Sequence, residues 1–132
     1  MDLSQDQIDS IIGTLQPDTR IAALYLLGSA AQGTMRPDSD VDLAILPAQA
    51  CHFSSLERAE LAGSLAYAIG REVDLGLISS RNLVYSRQAL LTGRLLFAND
   101  RYHAELMAAS ILGMYDRFCT ERKELLDAYS IG

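Results

Sequence analysis

Two apolar runs joined by a polar connector constrain the fold of this chain more than any other feature. The first run ends at Leu27 and is followed by Gly28-Ser29. Ten residues later, Asp40-Val41-Asp42 opens the second run, which continues to Leu46. Apolar runs of this length bounded by turn residues predict strands. The segment therefore predicts a strand, a tight turn suited to an anion, a connector and a second strand that carries two carboxylates.

The two carboxylates of the second strand are expected on one face of it. Side chains at i and i+2 of a strand point the same way, so Asp40 and Asp42 project together, about 7 Å apart along the backbone. Hard cations such as Mg²⁺ take carboxylate and phosphate oxygens. Asp74, in the middle of the next predicted strand and expected to be buried, is the candidate for a third ligand, and Glu72 is the reserve choice.

Gly28 and Ser29 suit a phosphate group. Glycine lets a phosphate approach the backbone closely, and Ser29 offers both a backbone N–H at a helix start and a hydroxyl. Taken alone, a Gly-Ser pair after a strand is usually only a turn, and Asp40 could belong to an ordinary loop. The combination of these residues has a different interpretation, because three acids crowded beside this turn would bring no benefit to a purely structural arrangement. It predicts a site for a nucleotide and metal ions.

Helices are predicted on both sides of these strands. Ser4 with Gln7, and Ser54 with Glu57, form capping boxes ahead of apolar residues at helical spacing. Weaker patterns predict one or two short helical turns over residues 80–93, with Gly93 as the C-cap, and an edge strand over residues 94–98. The predicted elements are helices at 4–15, from 29, at 54–69 and from about 100, and strands at 21–27, 41–46, 72–78 and 94–98.

The last helix carries more apolar residues than a small sheet can cover. Their spread beyond a single stripe favours a contact with another chain or with a second copy. The residues expected at that contact are Met114, Phe118, Leu125 and Leu126.

The length and net charge of the chain limit the kinds of function that it can have. The 132 residues predict a single domain, residues 1–132, too short for a second substrate-binding lobe. The net charge of -6, with Lys123 as the only lysine, disfavours binding to long nucleic acids. Two distant cysteines, an acidic N-terminus and the lack of a long apolar run predict a soluble protein of the reducing cytoplasm, not of a membrane.

Several other polar residues have less definite roles. Arg36, in the connector, is a candidate for contact with a triphosphate or a partner, although a solvated loop arginine is the more common case. One of the arginines around and after the third strand could reach the leaving group. These are Arg71, Arg81, Arg87 and Arg94. His52 and His103 have no metal-ligand spacing and are predicted to be surface residues.

The motif Gly28-Ser29, ten residues, Asp40-Val41-Asp42 resembles the signature of the nucleotidyltransferase (polymerase beta-like) superfamily, and the short chain resembles its minimal nucleotidyltransferases, the MNT proteins. The resemblance implies an α/β (α+β) fold with a small mixed sheet of three or four strands, flanking helices and a long C-terminal helix. It implies that Gly28 and Ser29 bind ATP, and that Asp40, Asp42 and Asp74 are catalytic residues holding two Mg²⁺ ions.

Many MNT proteins are antitoxins paired with a HEPN-domain ribonuclease toxin, and some are similar to protein adenylyltransferases that move AMP from ATP onto a tyrosine hydroxyl. The resemblance therefore implies an enzyme with a HEPN toxin as partner. In such a mechanism Asp74 would orient the acceptor or take its proton. Two alternatives stay open: a small-molecule nucleotidyltransferase of the aminoglycoside type, and an antitoxin that inhibits only by occlusion.

Overall fold

A four-stranded sheet forms the centre of the protein. A computed structural model describes residues 3–129. The strands are β1, Ile21–Leu27; β2, Val41–Pro47; β3, Val73–Leu77; and β4, Arg94–Ala98. The helices are α1, Gln5–Leu15; α2, Gly28–Gln32; α3, Ser55–Ile69; α4, Leu83–Thr92; and α5, Arg101–Tyr129.

The sheet is mixed, as predicted. Its strand order is β3-β2-β1-β4. Strand β1 runs antiparallel to both β2 and β4, whereas β2 and β3 are parallel. Parallel neighbours need a crossover connection, and α3 supplies it. The crossover brings the starts of β2 and β3 to the same end of the sheet, beside the end of β1.

Both faces of the sheet are covered, which explains why β1 is almost wholly apolar. Helices α1 and α3 pack on one face, around buried side chains such as Ile11, Leu24 and Leu65. Helices α4 and α5 pack on the other, where the buried residues are smaller and include Ala44 and Ala89. The side chains of β2 alternate between these two layers, so Asp42 shares the α4 and α5 face with Ala44.

Local sequence signals place the helix ends as predicted, with one exception. The capping boxes of Ser4 and Ser54 are both formed. The prediction of one or two short turns over residues 80–93 was wrong, because α4 is a single helix of 10 residues whose C-cap is Gly93. Its buried positions are Ser86 and Ala89, too small and too polar to form the apolar stripe that reveals a helix in a sequence.

Helix α5 reaches well beyond the body of the protein. It has 29 residues, of which only Ala104 and Ile111 are buried, and every residue from 116 to 129 is exposed. Its exposed apolar residues include Phe118, 47 % exposed, and Leu125, 58 % exposed. The first turns pack on β1 and α4. In residues 3–129 no helix is both long and apolar enough to cross a membrane.

The two histidines differ in their surroundings. His52 is exposed, as predicted. His103, at the start of α5, is half-buried, and its Nε2 lies 3.1 Å from the carbonyl oxygen of Pro47. The expectation of a plain surface residue was therefore wrong for His103, which ties α5 to the end of β2.

Candidate active site

Two carboxylates predicted from the sequence meet at the start of the parallel strand pair. Asp42 on β2 is the direct register partner of Asp74 on β3. Paired residues of neighbouring strands lie about 4.8 Å apart and point to the same face. Both carboxylates therefore stand on the face that α4 and α5 cover, at the end of the sheet that those helices leave accessible.

The end of β1 brings Gly28 against the same carboxylate. Leu27 pairs with Asp42 across the antiparallel strands, and Gly28 follows with φ 62°. A Cβ atom built on Gly28 would lie 2.9 Å from Oδ2 of Asp42, closer than side chains tolerate. Helix α2 begins at this glycine, and the half-buried Ser29 follows. The first N–H groups of a helix lack intrahelical partners and are suited to bind a phosphate.

The loop before β2 is held by Arg71. The Arg71 Nη1 atom donates hydrogen bonds of 3.1 Å to the backbone carbonyl oxygens of Arg36 and Ser39. The Arg36 backbone N–H donates to Oγ of Ser39 at 2.8 Å. Asp40 follows this loop and is exposed, one residue before β2. Arg71 thus holds the loop that leads to Asp40. The side chain of Arg36 is exposed, and its contact with a nucleotide stays a prediction.

The carboxylates share one electrostatic environment. Burial, then the charge of Asp74, then that of Asp40, raise the pKa of Asp42 above its ordinary value. Asp74 itself is exposed, because β3 is an edge strand of the sheet, so the expectation of a buried third acid was wrong. Like charges this close disfavour their common ionisation unless a cation is present.

The donor chemistry of this site fits a hard divalent cation. Carboxylate oxygens are the ligands that Mg²⁺ prefers, usually one or two of them together with phosphate oxygens and water. Within residues 3–129, no group of three or more acidic, histidine or cysteine side chains is already closed into a metal cage. Asp42 and Asp74 therefore offer an open half-site, whose remaining ligands a bound triphosphate can supply. The roles of Asp40, Asp42 and Asp74 as metal ligands stay predictions.

A tyrosine that the sequence analysis missed also belongs to this site. Tyr85 of α4 reaches over Gly76, two residues after Asp74 on β3. Burial, then the charges of Asp74 and Asp42, raise the pKa of the Tyr85 hydroxyl, with an opposing effect from Arg58. The sequence did carry a signal, because a glycine inside a strand often marks close approach of another group.

Tyr85 also lines a cavity that begins at Gly28. The cavity has a volume of about 410 Å³ and is bordered by polar side chains from α2 and α4, among them Gln32 and Gln88. Its volume lies within the range of small-ligand sites. The phosphate-binding turn is therefore open to a substrate on the side that α4 covers.

The other polar candidates are exposed or are engaged elsewhere. Arg87 stacks over the ring of Tyr115 at 4.6 Å and so joins α4 to α5. Arg81 and Arg94 are exposed, as is the reserve acid Glu72. Cys51 and Cys119 are free thiols.

Sequence comparison places the chain among nucleotidyltransferases. Residues 9–102 match the family model described as polymerase beta, nucleotidyltransferase. The chain is 33% identical over 108 residues to the protein adenylyltransferase MntA of Shewanella oneidensis, an alignment that covers 82% of this chain and 76% of that protein. The predicted resemblance is therefore confirmed.

Structural comparison gives the same answer. The fold matches a chain of a crystal structure of a toxin–antitoxin complex with AMP-PNP, with a TM-score of 0.78, 32% identity and coverage of 92% of this chain and 97% of that one. It also matches the structure of a tri-AMPylated Shewanella oneidensis HEPN toxin in complex with an MNT antitoxin, with a TM-score of 0.71, 29% identity and coverage of 93% and 95%. In this chain Gly28 lies against Asp42, and Asp74 lies beside Asp42. The chain belongs to the polymerase beta nucleotidyltransferase family.

Proposed function

We propose that this protein is an antitoxin that transfers AMP from ATP to a tyrosine hydroxyl of a HEPN-domain toxin and so neutralises it. One observation carries the proposal: the turn at Gly28 lies against the Asp42 carboxylate, and Asp74 is the register partner of Asp42. A phosphate-binding turn beside paired carboxylates is the arrangement that nucleotidyl transfer requires. The similarity to protein adenylyltransferase MntA supports protein as the substrate class.

ATP binds with its triphosphate along this end of the sheet. The β- and γ-phosphates lie at Gly28 and Ser29, where the start of α2 supplies N–H donors. The α-phosphate lies over Asp42 and Asp74. Arg36 contacts the triphosphate from the connector. The cavity of about 410 Å³ that begins at Gly28 supports this placement, since it leaves space beside the turn.

The reaction is an in-line substitution at the α-phosphorus. The tyrosine oxygen forms a bond to that phosphorus, the bond to the bridging oxygen of the β-phosphate breaks, and pyrophosphate leaves with the electron pair. The hydroxyl proton passes to the carboxylate of Asp74, whose exposed position admits an incoming acceptor. Asp40, Asp42 and Asp74 would hold two Mg²⁺ ions, which would supply charge neutralisation at the reacting phosphate. Positioning and charge provide most of the rate.

The surface next to the site supports a protein partner. An apolar groove of about 620 Å³ lies between the start of α4 and α5, lined by residues that include Val84, Tyr85 and Phe118. Val84 is 68 % exposed and Phe118 is 47 % exposed. The exposed end of α5 continues from this groove with Leu125 and Leu126. A toxin bound along α5 would have its acceptor tyrosine near Asp74.

Charge and redox chemistry fit the same function. A net charge of -6 favours a protein partner over direct contact with nucleic acid. The thiols of Cys51 and Cys119 are unpaired, as in most proteins of a reducing cytoplasm. We accordingly place the reaction in the cytoplasm, with the HEPN toxin and ATP as the two substrates.

Intact mass spectrometry of the toxin tests this function. The protein is mixed with ATP, Mg²⁺ and the HEPN-domain product of the adjacent gene, and Asp42→Asn serves as the control. We expect one or more AMP units on the toxin with the native protein and none with the variant. Inhibition of the toxin without any gain in mass would contradict the proposal and favour occlusion.

A further inference from the structure

Gly76 and Tyr85 fit each other across the face of the sheet. A Cβ atom built on Gly76 would overlap the hydroxyl oxygen of Tyr85 and would lie 2.7 Å from its Cζ. The tip of the tyrosine, rather than its ring face, therefore occupies the space that the missing side chain leaves. Glycine inside a strand costs stability relative to other residues, so its presence here has to be compensated by this close approach.

The register places the hydroxyl beside the carboxylates. Gly76 is two residues after Asp74 on β3, and its partner on β2 is Ala44, two residues after Asp42. Residues two apart on a strand point to the same face and lie about 7 Å apart. The Tyr85 oxygen is thus one row behind the carboxylate pair, on the same face of the sheet.

A hydroxyl at this position needs a polar partner. Tyr85 is 37 % exposed, and the residues beneath its oxygen, Gly76 and Ala44, have no polar side-chain atoms. A hydroxyl packed against a strand gives up part of its hydration, and a phenylalanine would fill the same volume without that cost. On this face of β2 and β3, the side chains that can accept a hydrogen bond are Asp42 and Asp74, one row away.

We propose that Tyr85 is a positioning residue of the adenylyl-transfer site: its hydroxyl orients the carboxylate pair Asp42 and Asp74, and Gly76 is small in order to admit it. This inference rests on the proposed function. It adds α4 to the active site, which the motif alone places on β1, β2 and β3. It also explains why one residue lines both the cavity at Gly28 and the apolar groove along α5.

Tyr85→Phe is the direct test, because it removes one oxygen and keeps the ring. Loss of a group that orients a metal-binding carboxylate costs about 10- to 100-fold in activity or metal affinity. We expect kcat for AMP transfer to fall by at least about tenfold, with KM for ATP little changed. A second readout is Mn²⁺ affinity in the presence of a non-hydrolysable ATP analogue, measured by electron paramagnetic resonance, which should weaken. Tyr67→Phe, at a tyrosine 95 % exposed on α3, is the matched control and should change neither quantity.

Gly76→Ala tests the same relationship from the other side. The added methyl group displaces the hydroxyl, so kcat and Mn²⁺ affinity should fall as they do for Tyr85→Phe. In the Tyr85→Phe background the same substitution should have a smaller effect on both, because residues that act through one contact are not additive. The thermal melting temperature of each variant shows whether the fold is retained.

Native kcat and native Mn²⁺ affinity in a folded Tyr85→Phe variant would overturn the inference. So would fully additive effects of the two substitutions on both quantities. Failure of the proposed function is distinguishable from this result. If the native protein transfers no AMP to the toxin, the proposed function fails, while the Mn²⁺ comparison between native protein and Tyr85→Phe still decides the role of Tyr85.

Discussion

Gly28 and Asp42 are in contact distance across the antiparallel strands β1 and β2: a side chain on the glycine would begin 2.9 Å from a carboxylate oxygen. The turn proposed to bind phosphate and the carboxylate proposed to bind metal are therefore adjoining parts of one site. Gly28 has φ 62°, a conformation that costs other residues about 1 kcal/mol. Both its backbone angle and its small size are needed.

Gly28→Ala should accordingly abolish AMP transfer with a modest loss of stability. The methyl group would displace the Asp42 carboxylate, and the left-handed backbone would add about 1 kcal/mol of strain. Gly70→Ala is the control for strain alone, since Gly70 has φ 72° but nothing within 4 Å of its Cβ position. Activity in Gly28→Ala equal to that in Gly70→Ala would show that the contact with Asp42 is irrelevant.

Asp42→Asn should reduce kcat/KM by at least about 10²-fold, because charge at the reacting phosphate is lost. Asp74→Asn should also reduce kcat, since we propose that Asp74 receives the acceptor proton. Steady-state rates of pyrophosphate release measure both. Full turnover by Asp74→Asn, together with loss of turnover in Asp42→Asn, would assign the base to another residue.

Without divalent cations, Asp42→Asn should raise the melting temperature at neutral pH. Burial and the neighbouring acids raise the pKa of Asp42, so the folded state binds its proton more tightly than the unfolded state. Its ionisation therefore costs stability at pH values above the folded pKa, and the cost disappears as the pH falls through the raised pKa toward the unfolded value. Calorimetry at pH 7 and at about pH 3 should show the gain only at pH 7. An equal gain at both values would contradict the electrostatic cause.

Arg20 should stabilise the fold in a pH-dependent way. Its side-chain hydrogen bonds lower the pKa of Asp18 and of Glu57 below their ordinary values. A lowered pKa contributes stability above the unfolded pKa, and that contribution is lost as the pH falls through the folded value. Arg20→Gln should thus lower the melting temperature at pH 7 and have little effect below about pH 3.

The control for Arg20 is Arg101→Gln, whose ion pair with Glu105 is largely exposed and should contribute little at any pH. If the difference in melting temperature between the native protein and Arg20→Gln is the same at pH 7 and pH 3, Arg20 stabilises the fold by packing instead. The guanidinium of Arg20 lies 4.4 Å from the ring centroid of Phe53, which is the packing that such a result would identify.

The exposed end of α5 should bind the partner or a second copy. Leu125→Glu with Leu126→Glu should weaken toxin binding in calorimetric titration and leave the melting temperature of the isolated protein unchanged, because both side chains are more than half exposed. Leu56→Glu, at an exposed leucine of α3, is the matched control. If the isolated protein is monomeric and still binds the toxin after truncation at Thr120, the prediction that the end of α5 forms this contact is wrong.

The strands of the site were predictable because their signals are local. Residues 21–27 are an almost wholly apolar run, residues 41–46 are apolar except for Asp42, and the two capping boxes mark their helices within four residues. The register of Asp42 with Asp74 follows from the parallel pairing of β2 and β3, which no short stretch of sequence contains. The exposure of Asp74 likewise depends on the position of β3 at the sheet edge.

Tyr85 could not be assigned from the sequence for a similar reason. Its place in the site depends on the packing of α4 over Gly76, a contact between distant parts of the fold. The pattern of helix α4 is weak, because its two buried side chains are Ser86 and Ala89. The buried Ser86 hydroxyl donates to the carbonyl oxygen of Ser79 at 2.9 Å, so a polar residue is satisfied where a pattern would require an apolar one.

The position of the transferred phosphorus tests the central claim most directly. The native protein is incubated with toxin, Mg²⁺ and ATP labelled with ³²P at either the α- or the γ-phosphate, and label on the toxin is measured after denaturing electrophoresis. Attack at the α-phosphorus predicts transfer from α-labelled ATP alone, and no transfer by Asp42→Asn. Label from the γ-phosphate, or no label from either while the toxin is inhibited, would contradict adenylyl transfer at the Gly28 and Asp42 site.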